Sequence, residues 1–333
     1  MKVTIVDVAK RANVSITTVT HSLNGKRPVS NETKLRVKKA IAELCYVPSY
    51  SASHLKTNKS GFIGCYVTDI TADFTAFMLR GIEKVIKGTG YSLIFASGVD
   101  IGTGKEDIAK YFRKFDVDGL LMINHLSTTS NLPEGGFANF PIVFINTENK
   151  HYDSVLPDDI GAGEIVAQHL FDCGVRNPVF LGGPQERISV QKRLKGFKQK
   201  LSSLGVLIPE TAIHFGEFTY ESGFEMAGQL LDSQEAFDGL FCANDFIGVG
   251  AMRCCLQEGI SIPKDIKIVG FDDRDVGRYC SIPLTTVKQN LEDLGMTAIE
   301  RILSKIKSKK DSCGIFYSAP QLIIRESTQS QKV

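Results

Sequence analysis

From Gly61 onward the chain alternates short apolar runs with amphipathic stretches, and this rhythm constrains its fold more than any other feature. The apolar runs predict strands at 62–67, 92–95, 119–123, 142–146, 179–182, 239–242 and 266–271. Between most of them apolar residues recur every three to four positions. That spacing predicts helices at 76–87, 164–171, 191–204, 220–231 and 246–258. Parallel neighbours need a crossover connection, usually a helix, so the alternation implies parallel sheets covered by helices on both faces. Roughly 270 residues is long for one such sheet, which predicts two similar lobes. Ligands of these folds sit beyond the carboxyl ends of the strands, so two lobes would close a cleft between those ends.

The first 59 residues have a different character. They carry 11 Lys+Arg against 3 Asp+Glu, while the remainder carries 28 against 34. A basic head on a mildly acidic body reads as a polyanion-binding module. Its apolar periodicity gives it a core of its own. Thr4-Ile5-Val6-Asp7 has the form of a capping box, and Ile5, Val8, Ala9 and Ala12 follow at helical spacing. Asn13 marks a sharp turn, and Ser15 is placed to cap a second helix through Leu23, with Val14, Val19 and Leu23 facing inward. Asn24-Gly25 stops that helix, and a third begins near Ser30, with Leu35, Ala40, Ile41 and Leu44 as its apolar stripe. Ala9, Asn13 and Val19 have the spacing of two crossed helices: a small residue at the contact, a turn, then an apolar lock. The second helix can then enter a major groove, with Ile16, Thr17, Thr20 and His21 facing bases or phosphates.

The segment Ile5-Val6-Asp7-Val8-Ala9-Lys10-Arg11-Ala12-Asn13-Val14-Ser15, followed by Thr17-Thr18-Val19-Thr20-His21, resembles the head of the lactose repressor family of bacterial regulators. The likeness is greatest to its purine-responsive members. Asn24-Gly25, Val29-Ser30, Glu32-Thr33 and Leu44-Cys45-Tyr46-Val47-Pro48 continue the pattern. In the body, Asp118-Gly119-Leu120, Ala243-Asn244-Asp245, Val269-Gly270-Phe271-Asp272 and Pro283-Leu284-Thr285-Thr286-Val287 are similar to further markers of the family. The resemblance implies a small all-α helix-turn-helix DNA-binding domain at 1–48 and a hinge helix and linker at 49–60. It then implies a two-lobed α/β, periplasmic-binding-protein-like (type I) core with parallel sheets at 61–328. The N-lobe would take 61–160 and 290–319, the C-lobe 161–289 and 320–328.

Several roles follow from the resemblance alone. Ile16 and Thr17 would be the main base readers and His21 a third, where arginine is more usual. Leu55 would be the wedge pushed into the minor groove at the centre of a pseudo-palindromic operator, with Lys56 beside it; Ser53 replaces a common arginine. Phe74, Asp158, Arg187, Ser189, Arg193, Phe218, Asn244 and Asp272 match effector-contacting positions. Aromatic faces suit rings, while guanidinium and carboxylate groups orient polar edges. An Asn-Asp pair at 244–245 is usual in sugar-binding members, whereas purine-responsive ones carry glycine at the first position. The implied effector is therefore a sugar or sugar derivative, with a purine as the alternative. The implied partners are double-stranded operator DNA, the small effector and a second copy of the chain. Its polar final residues, 327–333, lack the leucine heptad of the family's tetramers, which favours a homodimer.

Other functions find less support. Gly98 to Gly104-Lys105 is one residue too long for a P-loop, and Glu106 stands where Ser or Thr is needed. A small-molecule kinase with a regulatory head is the remaining enzyme reading. No hydrolase elbow or zinc-protease motif occurs, so no catalytic residue, metal or cofactor is expected. Asp272-Asp273-Arg274-Asp275 reads as a solvated loop. None of the eight cysteines forms a Cys-x-x-Cys pair, which suits buried thiols in a reducing compartment, and Cys254-Cys255 is read as part of a buried helix face. The N-terminus has no export signal and no stretch is apolar enough to span a membrane. A cytoplasmic protein is expected, and a periplasmic binding protein would not account for the head.

Overall fold

The computed structural model describes residues 3–24, 27–46, 59–70, 73–98, 108, 111–124, 140–233, 235–308 and 313–329. The head comprises α1 (Ile5–Ala12), α2 (Ile16–Asn24) and α3 (Asn31–Glu43). At the start of α1, the Thr4 backbone N–H and hydroxyl both donate to the Asp7 carboxylate, at 2.8 and 2.7 Å. These two bonds hold Asp7 below the usual carboxylate range. Asn13 ends α1 in the left-handed region at φ 52. The Ser15 hydroxyl then accepts the Thr18 N–H at 3.1 Å and starts α2. Val8, Ala9, Ala12, Val19, Val37, Ala40 and Tyr46 form the buried centre, and an Arg11–Glu43 ion pair ties α1 to α3.

Two expected core residues are outside it. Leu35 is 68% exposed: at 100° per residue it lies about 200° round α3 from Val37, which takes the inward face. Leu23 is 41% exposed. It shares a face with Val19 but lies one turn further along α2, beyond the buried centre of the described residues.

The body contains two sheets. The first joins β1 (Phe62–Val67), β2 (Ser92–Ser97), β3 (Gly119–Ile123), β4 (Ile142–Ile145) and β5 (Asp153–Pro157), with α4 (Asp73–Ile86) after β1. The chain then passes through α5 (Asp159–Asp172) into the second sheet. This holds β6 (Pro178–Gly182), β7 (Ile213–Phe215), β8 (Gly239–Cys242), β9 (Lys267–Phe271) and β10 (Thr285–Lys288). Between those strands run α6 (Ile188–Ser203), α7 (Tyr220–Asp232), α8 (Asp245–Gln257) and α9 (Asp275–Tyr279). Helix α10 (Leu291–Lys307) returns to pack on the first sheet, where β11 (Ile315–Ser318) joins the edge, and β12 (Gln321–Ile323) joins the second. The strand orders are β11-β5-β4-β3-β1-β2 and β12-β10-β9-β8-β6-β7. Every described pairing is parallel except β10 with β12.

The central strands β3, β4, β6 and β8 are buried along their whole length, which is why they read as unbroken apolar runs. Strands β5, β7, β10, β11 and β12 and helices α9 and α10 escape the sequence reading. β5 begins with a fully buried aspartate, Asp153, held by Arg301, Lys305 and the Gly314 N–H. β7 and β12 have three residues each, and β10 opens Thr-Thr. Helix α5 starts five residues earlier than its apolar pattern, because Asp158 caps it and its first turns are small residues. Those small residues serve packing. A Cβ on Gly163 would lie 2.1 Å from the Arg193 carbonyl, and one on Gly196 would lie 2.0 Å from that of Ile160. The backbones of α5 and α6 therefore approach closely at these two glycines. No helix among the described residues is long and apolar enough to cross a membrane.

Candidate functional site

On the head, Ile16 and Thr17 stand exposed at the start of α2, with Val19 buried behind them. Thr20 is half-buried, its hydroxyl donating to the Ile16 carbonyl at 2.9 Å, and His21 is also half-buried. Of the four predicted groove-facing residues, Ile16 and Thr17 are thus the more exposed. Leu55 and Lys56 lie outside the described residues.

The eight predicted effector residues all follow the carboxyl ends of strands, from both sheets. Phe74 follows β1 and lies half-buried against the first sheet's core. Asp158 follows β5, its carboxylate accepting the Gly161 N–H at 2.8 Å to cap α5. Arg187 and Ser189 follow β6 at the start of α6; Arg187 is exposed and Ser189 half-buried. Phe218 follows β7, its ring lying so close to Gly183 that a Cβ there would be 2.3 Å away. Asn244 follows β8 and Asp272 follows β9.

Arg193 and Asn244 are engaged within the protein as well. Arg193 is 6% exposed: its Nε donates to Asp159 at 2.9 Å, its Nη1 donates to the Ala243 carbonyl at 2.7 Å, and its guanidinium carbon sits 3.5 Å from the Phe271 ring centroid. Its charge is thus neutralised within the protein. Asn244 caps α8 through a 2.8 Å bond from the Ile247 N–H, and its amide reaches the Phe218 carbonyl at 3.4 Å. The amide nitrogen carries two N–H donors, and this long bond uses one of them.

Asp272 sits on an unusual backbone, with φ 103, followed by Asp273 at φ 54. Gln289 Nε2 donates to its carboxylate at 2.7 Å. Burial pushes the Asp272 carboxyl up, while the nearby Arg193, the Gln289 amide and Arg274 pull it back. The loop that reads as solvated in the sequence is in fact paired: Asp273 bonds Arg325 and faces Arg278 at 3.5 Å.

Sequence reasoning gives no role to Asp245, Asp159, Phe271 or Gln289. Asp245, inside the quoted Asn-Asp motif, has no exposed surface and accepts the Thr286 hydroxyl and the Arg274 N–H, each at 2.6 Å. Its burial pushes the carboxyl up to about 7. Asp159 is the counter-charge of a buried arginine, a partner that only tertiary structure can assign. Gln289 carries no signal at all. Among the described residues, the predicted set comprises the Phe74 and Phe218 rings, the exposed Arg187, Ser189, the engaged Arg193 and Asn244, and the carboxylates of Asp158 and Asp272. Cys254 and Cys255 are buried as expected, and burial pushes both thiols up, Cys255 to about 12.

Comparison with known proteins agrees with this architecture. A model of bacterial regulatory proteins of the lacI family matches residues 4–49, and a periplasmic binding protein-like domain matches residues 167–328. The HTH-type transcriptional repressor PurR of Photobacterium profundum is 32% identical over 335 residues, covering 98% of each chain. PurR of Klebsiella pneumoniae is 33% identical, covering 97% of this chain and 96% of its own. Among solved structures, the lac repressor dimer bound to operator and the anti-inducer ONPF matches with a TM-score of 0.83 at 26% identity, covering 99% of this chain and 100% of that one. A complex of the transcriptional regulator CelR with cellobiose matches with a TM-score of 0.67 at 28% identity, covering 98% and 100%. With a helix-turn-helix head, a two-sheet body and full-length likeness to such regulators, the chain belongs to the lacI family of bacterial regulatory proteins.

Proposed function

We propose that the protein is a cytoplasmic, homodimeric transcriptional repressor whose hold on a pseudo-palindromic operator is set by a small effector bound between the two sheets. The observation that carries this reading is the pairing of an exposed base-reading edge at Ile16 and Thr17 with a separate set of ring-binding side chains at the strand ends. The division into head 1–48, hinge 49–60 and core 61–328 goes with it, as do Leu55 and Lys56 as hinge contacts. The second copy is assigned to the face where Tyr220, Phe224 and Tyr279 are 37%, 36% and 78% exposed. Tyr220 there packs edge-on against Phe246, which Arg274 overlies. Aromatic rings with an adjacent arginine are what a self-complementary interface uses.

For the effector we infer an uncharged polar ring. Among the described members of the predicted set, Arg193 is neutralised by Asp159 and Arg187 is the cation left to meet a charge, which disfavours phosphorylated and acidic sugars. A sugar or sugar derivative remains the first reading, with the Asn244 amide as a hydroxyl partner. The second reading is a purine base, favoured by the pair Phe74 and Phe218 together with Asp272 as acceptor for a ring N–H.

A thermal-shift screen against neutral sugars, sugar phosphates, acidic sugars and purine bases tests the effector site, because a ligand of the folded state raises the melting temperature by mass action. Selection from random duplex DNA tests the head. A neutral sugar or purine hit and a recovered pseudo-palindrome are expected. A hit confined to sugar phosphates would overturn the cleft assignment, and recovery of no preferred sequence would overturn the role of α2.

A further inference from the structure

We propose that Gln289 passes occupancy of the cleft to the segments linking the two sheets, acting as a positioning residue through Asp272. The inference rests on the assignment of Asp272 to the effector. Gln289 and Asn290 are the whole connection between β10 in the second sheet and α10 on the first. Gln289 faces the cleft, donating to the Asp272 carboxylate at 2.7 Å. Asn290 faces the other crossings: its amide donates to the Ala319 carbonyl at 2.9 Å, and the Ser318 hydroxyl donates to the Asn290 carbonyl at 3.4 Å. The Asp158 N–H donates in turn to the Ser318 carbonyl at 3.2 Å. All three crossings are therefore stitched together by hydrogen bonds, and adjacent residues join that stitching to the cleft carboxylate.

Asp272 is suited to such a role. Its left-handed backbone is pinned to β10 by its own N–H, which donates to the Val287 carbonyl at 2.8 Å. The side chain is thus presented from a fixed base, and a new donor on the carboxylate competes with the Gln289 amide rather than moving the loop. An effector shifts a two-state equilibrium only by what it binds differently in the two states, and this bond is a contact that one state has and the other lacks.

The test is a double-mutant cycle on operator affinity without effector, with DNA recovered from the selection as the probe. Gln289→Met keeps the side chain's length and removes its donor. Asp272→Gly removes the carboxylate at a φ that glycine adopts freely. Each single change is expected to shift the operator Kd by on the order of tenfold, the scale of one charge-assisted hydrogen bond. The double variant is expected to shift it no further than either single one. Unchanged or additive affinities overturn the relay, because neither residue touches DNA and only the bond between them would join their effects. Thermal shifts with the screening compounds separate the two readings. An undiminished shift in Asp272→Gly overturns the effector assignment and the relay with it. A lost shift combined with an additive cycle overturns the relay alone.

Discussion

Replacing Asp245 by asparagine should make the protein's stability less sensitive to pH. Asp245 begins α8 with no exposed surface, its two oxygens accepting the Thr286 hydroxyl and the Arg274 N–H at 2.6 Å each. Burial is the largest influence on it and pushes the carboxyl from 3.8 up to about 7; the two bonds oppose that push, and the charges of Asp272 and Asp273 add to it. In the unfolded chain the group titrates near its ordinary value, so at intermediate pH the folded state holds a proton that the unfolded state has lost. The sign follows from linkage. The stability associated with this residue is fully present below about pH 4 and falls as pH rises to about 7, by about 1.4 kcal/mol per unit. The three-unit displacement sets a ceiling of about 4 kcal/mol.

Asparagine is neutral throughout and can keep both contacts, accepting from the Arg274 N–H while its amide donates to the Thr286 oxygen. The stability of Asp245→Asn relative to the native chain should therefore increase by roughly 2–3 kcal/mol between about pH 5 and pH 8, most of it below pH 7. Urea unfolding followed by circular dichroism is the suitable assay, since the chain has no tryptophan. A difference that stays constant across that range would refute the reasoning. It would mean that Asp245 stays ionised in the fold, its two donors outweighing its burial.

Four further outcomes are expected. Gly163→Ala would force a Cβ to 2.1 Å from the Arg193 carbonyl, so the urea midpoint should fall by the equivalent of about 1–3 kcal/mol; an unchanged midpoint would show that α5 and α6 can separate freely. Arg193→Met strands the buried Asp159 and should cost about 3–5 kcal/mol, with much of it recovered when Asp159→Leu is added; no recovery in the double variant would refute the pairing argument. Tyr279→Glu should convert the dimer to monomer in sedimentation, and persistence of the dimer would move the interface elsewhere. Thr17→Ala should weaken specific operator binding by about 1–3 kcal/mol and leave non-specific binding in place, whereas equal loss of both would make Thr17 a phosphate contact.

The residues that are legible in the sequence act through backbone geometry or through burial on every side. Asn13 and Ser15 announce a turn and a cap whatever surrounds them, and central strands such as β3 and β6 need no partner to be recognised. Phase is harder: the stripe on α3 begins at Val37, and Leu35 is misplaced by the pattern because an apolar residue two positions away looks the same in a list of types. Polar strands are harder again. Asp153 argues against a strand until Arg301 and Lys305 arrive from a helix about 150 positions later to neutralise it. The same limit governs the site. The sequence shows Arg187 and Arg193 as two equivalent cations, and only the fold assigns Asp159 to one of them and leaves the other exposed. Under the proposed assignment of these residues to the effector, that allocation is what favours a neutral ring over an anion. Residue type fixes what a side chain can bond, but long-range pairing decides which of those bonds remain for a ligand.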